Sequence, residues 1–168
     1  MAKNFSNQLA GQIGESLVVA ELGRRRIVAT AFAGNVPDID ILAYKDGKTL
    51  HLQVKAWRSG AVSVNASRFL DISINEAKGT QTVNGLSDDL DEDLIYVFVN
   101  ISQVLGHDKF YVLRQGDLAR SIMAGYVSFL DKHNGVRPRN HASTHASVGL
   151  EHLQAYEANW GLIEGHFD

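Results

Sequence analysis

Between Ser6 and Arg25 the apolar residues recur at helical spacing, with Leu9, Ile13, Leu17 and Ala20 on one side and Val18, Val19 and Leu22 over much of the other. The pattern predicts a helix that is apolar on most sides and therefore buried. Ile27 to Ala33 is a short apolar stretch closed by Gly34-Asn35-Val36-Pro37, which predicts a strand and a turn. Two more strands are predicted at Asp38 to Tyr44 and Thr49 to Trp57, because Asp46-Gly47 between apolar runs is a strong hairpin signal. Val62 to Ile74 is predicted extended from Val64, Phe69, Ile72 and Ile74, whereas Asn75 to Leu86 carries no deciding pattern. Leu94-Ile95-Tyr96-Val97-Phe98-Val99 is a continuous β-rich run, as expected of a central strand covered on both faces. Lys109 to Leu113 predicts one more strand. Asp117 is then expected to cap a helix to about Lys132, with Leu118, Ile122, Met123, Tyr126 and Leu130 at helical spacing. Ala146 to Asn159 is expected to hold a last helix, with Trp160, Leu162 and Ile163 packing back. The order predicts an α/β domain around a mixed sheet.

Composition narrows the function classes. The 168 residues are 45% hydrophobic, sufficient for a proper core without staples. No repeat or linker divides them, so residues 1–168 are expected to form one domain. The absence of cysteine excludes disulfides, thiol nucleophiles, Fe–S clusters and Cys-based zinc sites. The first residues lack a signal-peptide pattern and no apolar run reaches the ~18 residues of a membrane span, so a cytoplasmic protein with no membrane partner is expected. The net charge of −3 argues mildly against coating nucleic acid by bulk electrostatics. Five acidic residues, however, fall in one run: Asp88, Asp89, Asp91, Glu92 and Asp93. The remainder has a slight positive excess, clustered at Arg24-Arg25-Arg26 and around Arg137-Pro138-Arg139, which are either solvated faces or phosphate-facing surfaces.

A two-residue turn at Asp46-Gly47 sets Lys45 opposite Lys48 and, counting back, Asp40 opposite Gln53 and Asp38 opposite Lys55. Side chains alternate, so Asp38, Asp40, Gln53 and Lys55 share one side of the ribbon while Ile39, Ile41, Ala43, Leu52 and Val54 supply a core from the other. Cross-strand neighbours have Cβ atoms ~5 Å apart, close enough for two oxygens to share a divalent cation. Glu15 lies among apolar neighbours on the first helix, with Gly11 and Gly14 beside it to permit close backbone approach. A buried carboxylate finds a cation or shifts its pKa. Its cation is a metal held by Asp40, or else Lys55 or an arginine in a purely structural ion pair.

The series Glu15, Pro37-Asp38-Ile39-Asp40 and Gln53-Val54-Lys55, on helix, strand and adjacent strand, resembles the PD-(D/E)XK nuclease superfamily. The spacing is closest to that of cyanobacterial intron-encoded homing endonucleases, which also carry Gln before X-Lys. The resemblance covers about residues 5 to 58. It departs from the superfamily at Gln53, usually acidic, whose amide oxygen can coordinate a hard cation but brings no charge. It implies the restriction-endonuclease-like αβββαβ core, here with C-terminal helical additions, and metal-dependent hydrolysis of DNA phosphodiesters. It also implies that Glu15, Asp40 and Gln53 hold Mg²⁺, with Mn²⁺ able to substitute. Lys55 would orient the attacking water and neutralise charge on the phosphoryl oxygens. Asp38 is a supporting partner, an alternative ligand or a strand cap. Cleavage of both strands implies a homodimer or larger homo-oligomer. The alternative set by Gln53 is an inactive nuclease-fold module that binds DNA or a protein; a plain structural domain would bind neither metal nor DNA.

Other constellations are weaker. His141 and His145 have i, i+4 spacing, but no third ligand makes a zinc site, and with Arg137 and Arg139 they fit a loop facing phosphate or solvent. His51 shares a face with Gln53, Trp57 lies just beyond Lys55, and Glu76 could supplement the metal shell or begin a helix. Most other aromatics, Tyr96, Phe98, Phe110, Tyr111, Tyr126 and Phe129, have core spacing and form no stacking platform for single strands.

Overall fold

The computed structural model describes residues 3–32 and 39–168; the predicted turn from Gly34 to Pro37, and Asp38, lie outside the described residues. Helix α1 (Lys3–Arg24) leads into β1 (Val28–Ala31), β2 (Ile41–Lys45) and β3 (Lys48–Trp57). The hairpin register is the predicted one, with Lys45 paired to Lys48 and Ile41 to Leu52. Asp46 (φ 50°) and Gly47 (φ 84°) both adopt positive φ, the conformation that a primed two-residue turn demands. Strands β7 (Ile95–Asn100) and β8 (Lys109–Arg114) complete a five-stranded sheet in the order β1-β2-β3-β7-β8, with β3 and β7 parallel and every other pair antiparallel. The sheet is therefore mixed and the protein α/β, as expected.

Two cores form, one on each face. On the first, α1 sets Val18 and Leu22 against Ile41, Ala43, Leu52, Val54, Val97 and Val99. On the second, α2 (Gln115–Lys132) sets Leu118, Ile122 and Tyr126 against Tyr96, Phe98, Tyr111 and Leu113. Strand β7 is buried from Ile95 to Val99 and divides alternate side chains between the cores, which is why its sequence shows no polar alternation. Relative to the αβββαβ order, the helix covering the second face comes two sheet strands later, after β7 and β8. The crossover from β3 to β7 instead holds β4 (Val62–Asn65), a 3₁₀ turn (Ala66–Arg68), β5 (Leu70–Asn75) and β6 (Thr80–Leu86).

Three expectations are corrected. Val62 to Ile74 is not one extended segment: β4 pairs with β9 (His145–Val148) and β5 with β6. Asp117 does not cap α2. Strand β8 runs straight into the helix, the Gln115 and Gly116 N–H groups donate to the Leu94 and Glu92 carbonyls (2.7 and 3.1 Å), and Asp117 sits in the first turn paired with Arg120. The tail begins as a strand, followed by the short helix α3 (Leu150–Leu153) and a 3₁₀ turn. The last helix proper is α4 (Gly161–Phe167), which with Trp160 buries Ile163 and Phe167 in the first core. No described helix is long and apolar enough to cross a membrane.

Candidate metal and phosphate site

Strand β3 outruns β2. The last pair is Ile41–Leu52, yet β3 continues to Trp57, so from Val54 onward its edge has no β2 backbone beside it. Asp40, just before β2, fills the gap. Its N–H donates to the Leu52 carbonyl (2.9 Å), and its Oδ2 accepts from the Val54 N–H (2.7 Å) and from the Gln53 side-chain amide. Asp40 and Gln53 thus meet across the hairpin, as the register arithmetic requires. Gln53 is only 5% exposed, and a buried amide needs such a partner.

Glu15 comes from the α1 side. A Cβ on Gly14 would collide with the Ala56 Cβ, so the bare Cα is what lets α1 lie against β3 and bring Glu15 close. Gly11 has no such role, because nothing lies within 4 Å of its would-be side chain. Burial raises the Glu15 pKa above its ordinary 4.5, the Asp40 charge raises it further, and Lys55 pulls it back. Glu15 therefore feels both Asp40 and Lys55. Among the described residues none of the three forms a salt bridge, so Glu15 is not consumed by the structural pairing that its sequence context also allowed.

The second face adds residues that the sequence reading did not select. Gln53 lies beside Tyr96 in the parallel register, and the Gln115 side chain hydrogen-bonds the Tyr96 hydroxyl. Burial raises the Tyr96 pKa, and opposing electrostatic effects of Arg68 and Asp40 place both near it. A cleft of 470 Å³ opens here, lined by Ile39, His51, Arg68, Asp91 and Gln115. Tyr96 reads as core in the sequence, and nothing marks Gln115 or Arg68, because their meeting depends on the crossover turn and the start of α2.

The whole backbone is similar to that of the bacterial homing endonuclease I-Ssp6803I, with a TM-score of 0.53 over 96% of this chain and 95% of that chain. This is a homing-endonuclease-like fold. At 16% sequence identity the likeness is one of architecture. No protein-family model and no curated protein matches the chain.

Within this fold the other candidates separate. Trp57 is buried against Phe98 and Tyr111 and belongs to the core. Glu76 is exposed beyond β5 and is absent from the charges acting on Glu15. His51 lines the cleft. His145 opens a strand, so it and His141 do not share a helix face. Arg24 and Arg25 pair with Glu21, and Arg25 also lies over the Trp160 ring, so this basic cluster fastens α1 to the C-terminal segment. Among the described residues no group of three His, Asp or Glu side chains is placed to hold a metal. Among the described residues the donors near Asp40 are its own carboxylate, that of Glu15 and the Gln53 amide, with no salt bridge to either carboxylate. Such a set fits a hard divalent ion, since Mg²⁺ characteristically takes one or two carboxylates and keeps several waters.

Proposed function

We propose that this protein is a cytoplasmic, Mg²⁺-dependent DNA endonuclease of the PD-(D/E)XK type, acting as a homodimer or larger homo-oligomer. The observation that carries this reading is the adjacency of Glu15 and Asp40, two carboxylates without a salt bridge among the described residues, beside Gln53 and Lys55. The homing-endonuclease-like fold supports it. Glu15, Asp40 and the Gln53 Oε1 atom would hold the ion. When bound, Mg²⁺ supplies Lewis-acid stabilisation of the phosphoryl group and a more acidic water.

The chain's own residues do the remainder. Asp40, held by the Val54 N–H, presents its carboxylate from a fixed backbone position rather than from a loose rotamer. Lys55 brings a mobile ammonium to the negative charge that builds as the phosphodiester is attacked, an interaction strongest in the transition state. Gln115 and Tyr96 form a hydrogen-bonded wall behind Gln53.

One observation favours the second reading, an inactive module that binds DNA or a protein. The Gln53 amide and the Val54 N–H both donate to Asp40 Oδ2, so this oxygen is already satisfied without a metal. Plasmid nicking in Mg²⁺ or Mn²⁺, with Lys55→Ala and Asp40→Ala alongside, separates the two. The nuclease reading expects each substitution to slow the chemical step ~100-fold or more. Equal activity in all three samples ends it, and absent Mn²⁺ binding together with salt-sensitive DNA affinity supports the module.

A further inference from the structure

Resting on the nuclease reading, we infer that the groove between α2 and the segment from Val136 to Ser147 is a second contact for the backbone of duplex DNA, with Arg137 and Arg139 holding phosphates. Two adjoining hollows of 310 and 420 Å³ share Phe129, Arg137 and His145 as walls. Their lining includes Arg137, Arg139, His133, His145 and His152, and among the described residues it includes no aspartate or glutamate. A carboxylate next to this lining is that of Glu151, whose Oε1 lies 3.2 Å from His152 Nδ1 at one end, while Arg137 and Arg139 lie together at the other. On a chain of net charge −3 that end is a local reversal of sign that suits a polyanion.

The groove is also built. The Arg137 guanidinium lies 5.1 and 5.2 Å from the ring centroids of Tyr126 and Phe129, and its Nη2 donates to the His145 carbonyl at 3.0 Å. Those contacts fix its plane and leave further N–H donors for a ligand. Arg139 is exposed and makes no hydrogen bond or ion pair among the described residues. Beneath the loop, buried Gln81 accepts from the Tyr126 hydroxyl (2.6 Å) and donates to the His141 and Ser143 carbonyls, which pins the far wall to β6 and α2. Preorganisation of this kind lowers the entropy lost on binding.

Position connects the groove to the candidate site. The Ala66 N–H donates to the Thr144 carbonyl (2.7 Å) and the Thr144 hydroxyl donates to Asn65 (2.6 Å). The strand-and-turn segment that carries Arg68 to the cleft is therefore bonded to the chain between Ser143 and His145, two residues that line the groove. Among the described residues the cleft and the groove have no lining residue in common, but these hydrogen bonds tie the segment behind one to the segment behind the other, and the proposed duplex seats across both.

The test is fluorescence anisotropy of a labelled DNA duplex in Ca²⁺, which occupies oxygen sites without supporting turnover, across a salt series. Wild-type protein is compared with Arg139→Ala, Arg137→Gln and the double variant, with melting temperatures in parallel. Each lost phosphate contact should reduce the slope of log K against log[salt] by about one and weaken binding roughly tenfold. Arg139→Ala should do so with an unchanged melting temperature, which keeps the proposal exposed even if Arg137→Gln disturbs the fold. Slopes identical to wild type in Arg139→Ala and the double variant overturn the groove while leaving the nuclease reading intact. Wild-type protein that binds no duplex overturns both.

Discussion

On the face of β3 toward α1, Leu52, Val54 and Ala56 meet a helix whose closest approach is set by a missing side chain, and contact is apolar throughout. On the face toward α2, one residue away at each step, Gln53 sits beside Tyr96 and Lys55 beside Phe98. The strand thus spends one set of side chains on cohesion and the other on the polar group of the candidate site, to which α1 contributes Glu15 from the cohesive side. The difference shows how a fold tolerates buried polarity. Buried Gln53 and half-buried Asp40 are tolerated because the Gln53 amide and the Val54 N–H both donate to the Asp40 carboxylate, whereas on the α1 side Glu15 has no such donor among the described residues and responds with a raised pKa.

That contrast can be broken most severely from the apolar side. Gly14→Val places branched carbons where even a Cβ collides with Ala56, and should destabilise the protein by about 3 kcal/mol, read as a fall in urea midpoint. The candidate site is then lost with the fold rather than independently of it. From the polar side, Gln53→Glu removes a donor from Asp40 and sets a buried carboxylate against its half-buried one. The metal-free protein should lose about 2 kcal/mol, while Mn²⁺ should stabilise the variant more than it stabilises wild type; no difference in the Mn²⁺-induced shift would remove Gln53 from the ion's shell.

The smallest effect concerns pH. The Glu15 pKa is higher in the folded protein than in the unfolded chain, mainly through burial and then through Asp40. Folding is therefore favoured while Glu15 is protonated, and that stability is lost as pH rises from about its ordinary 4.5 through the raised value. Glu15→Gln should be more stable than wild type above this window and show a flatter profile within it, measured by metal-free melting at several pH values. A profile parallel to wild type would mean that Glu15 does not feel the site.

Legibility followed the range of the interactions. The hairpin could be read to the residue because Asp46-Gly47 fixes its register within a few positions, and β7 because burial on both faces leaves an unbroken apolar run. Strand β6, Thr80-Gln81-Thr82-Val83-Asn84-Gly85-Leu86, shows no alternating pattern: its pairing passes from Gly85 opposite Asp71 to Val83 opposite Ile72, so Asn84 is an extra residue that breaks the two-residue period. Strand β9 pairs with β4 across some eighty residues, so its own four positions say little. The same distance hid the groove. Phe129 has helical core spacing yet is 36% exposed, because the Arg137 guanidinium, not another helix, covers its ring. Asp40 and Gln53 were legible as neighbours, while Tyr96, Gln115 and Arg68 were not, since only the folded crossover assembles them.

The notch at the end of β2 has one more implication. Had β2 continued two residues further as a ladder, main-chain carbonyls would have taken the place of the Asp40 carboxylate, and the hairpin would have closed like a completed zip. The candidate site thus sits in an unfinished seam, so any change that lengthens the pairing should cost the site its carboxylate while stiffening the hairpin.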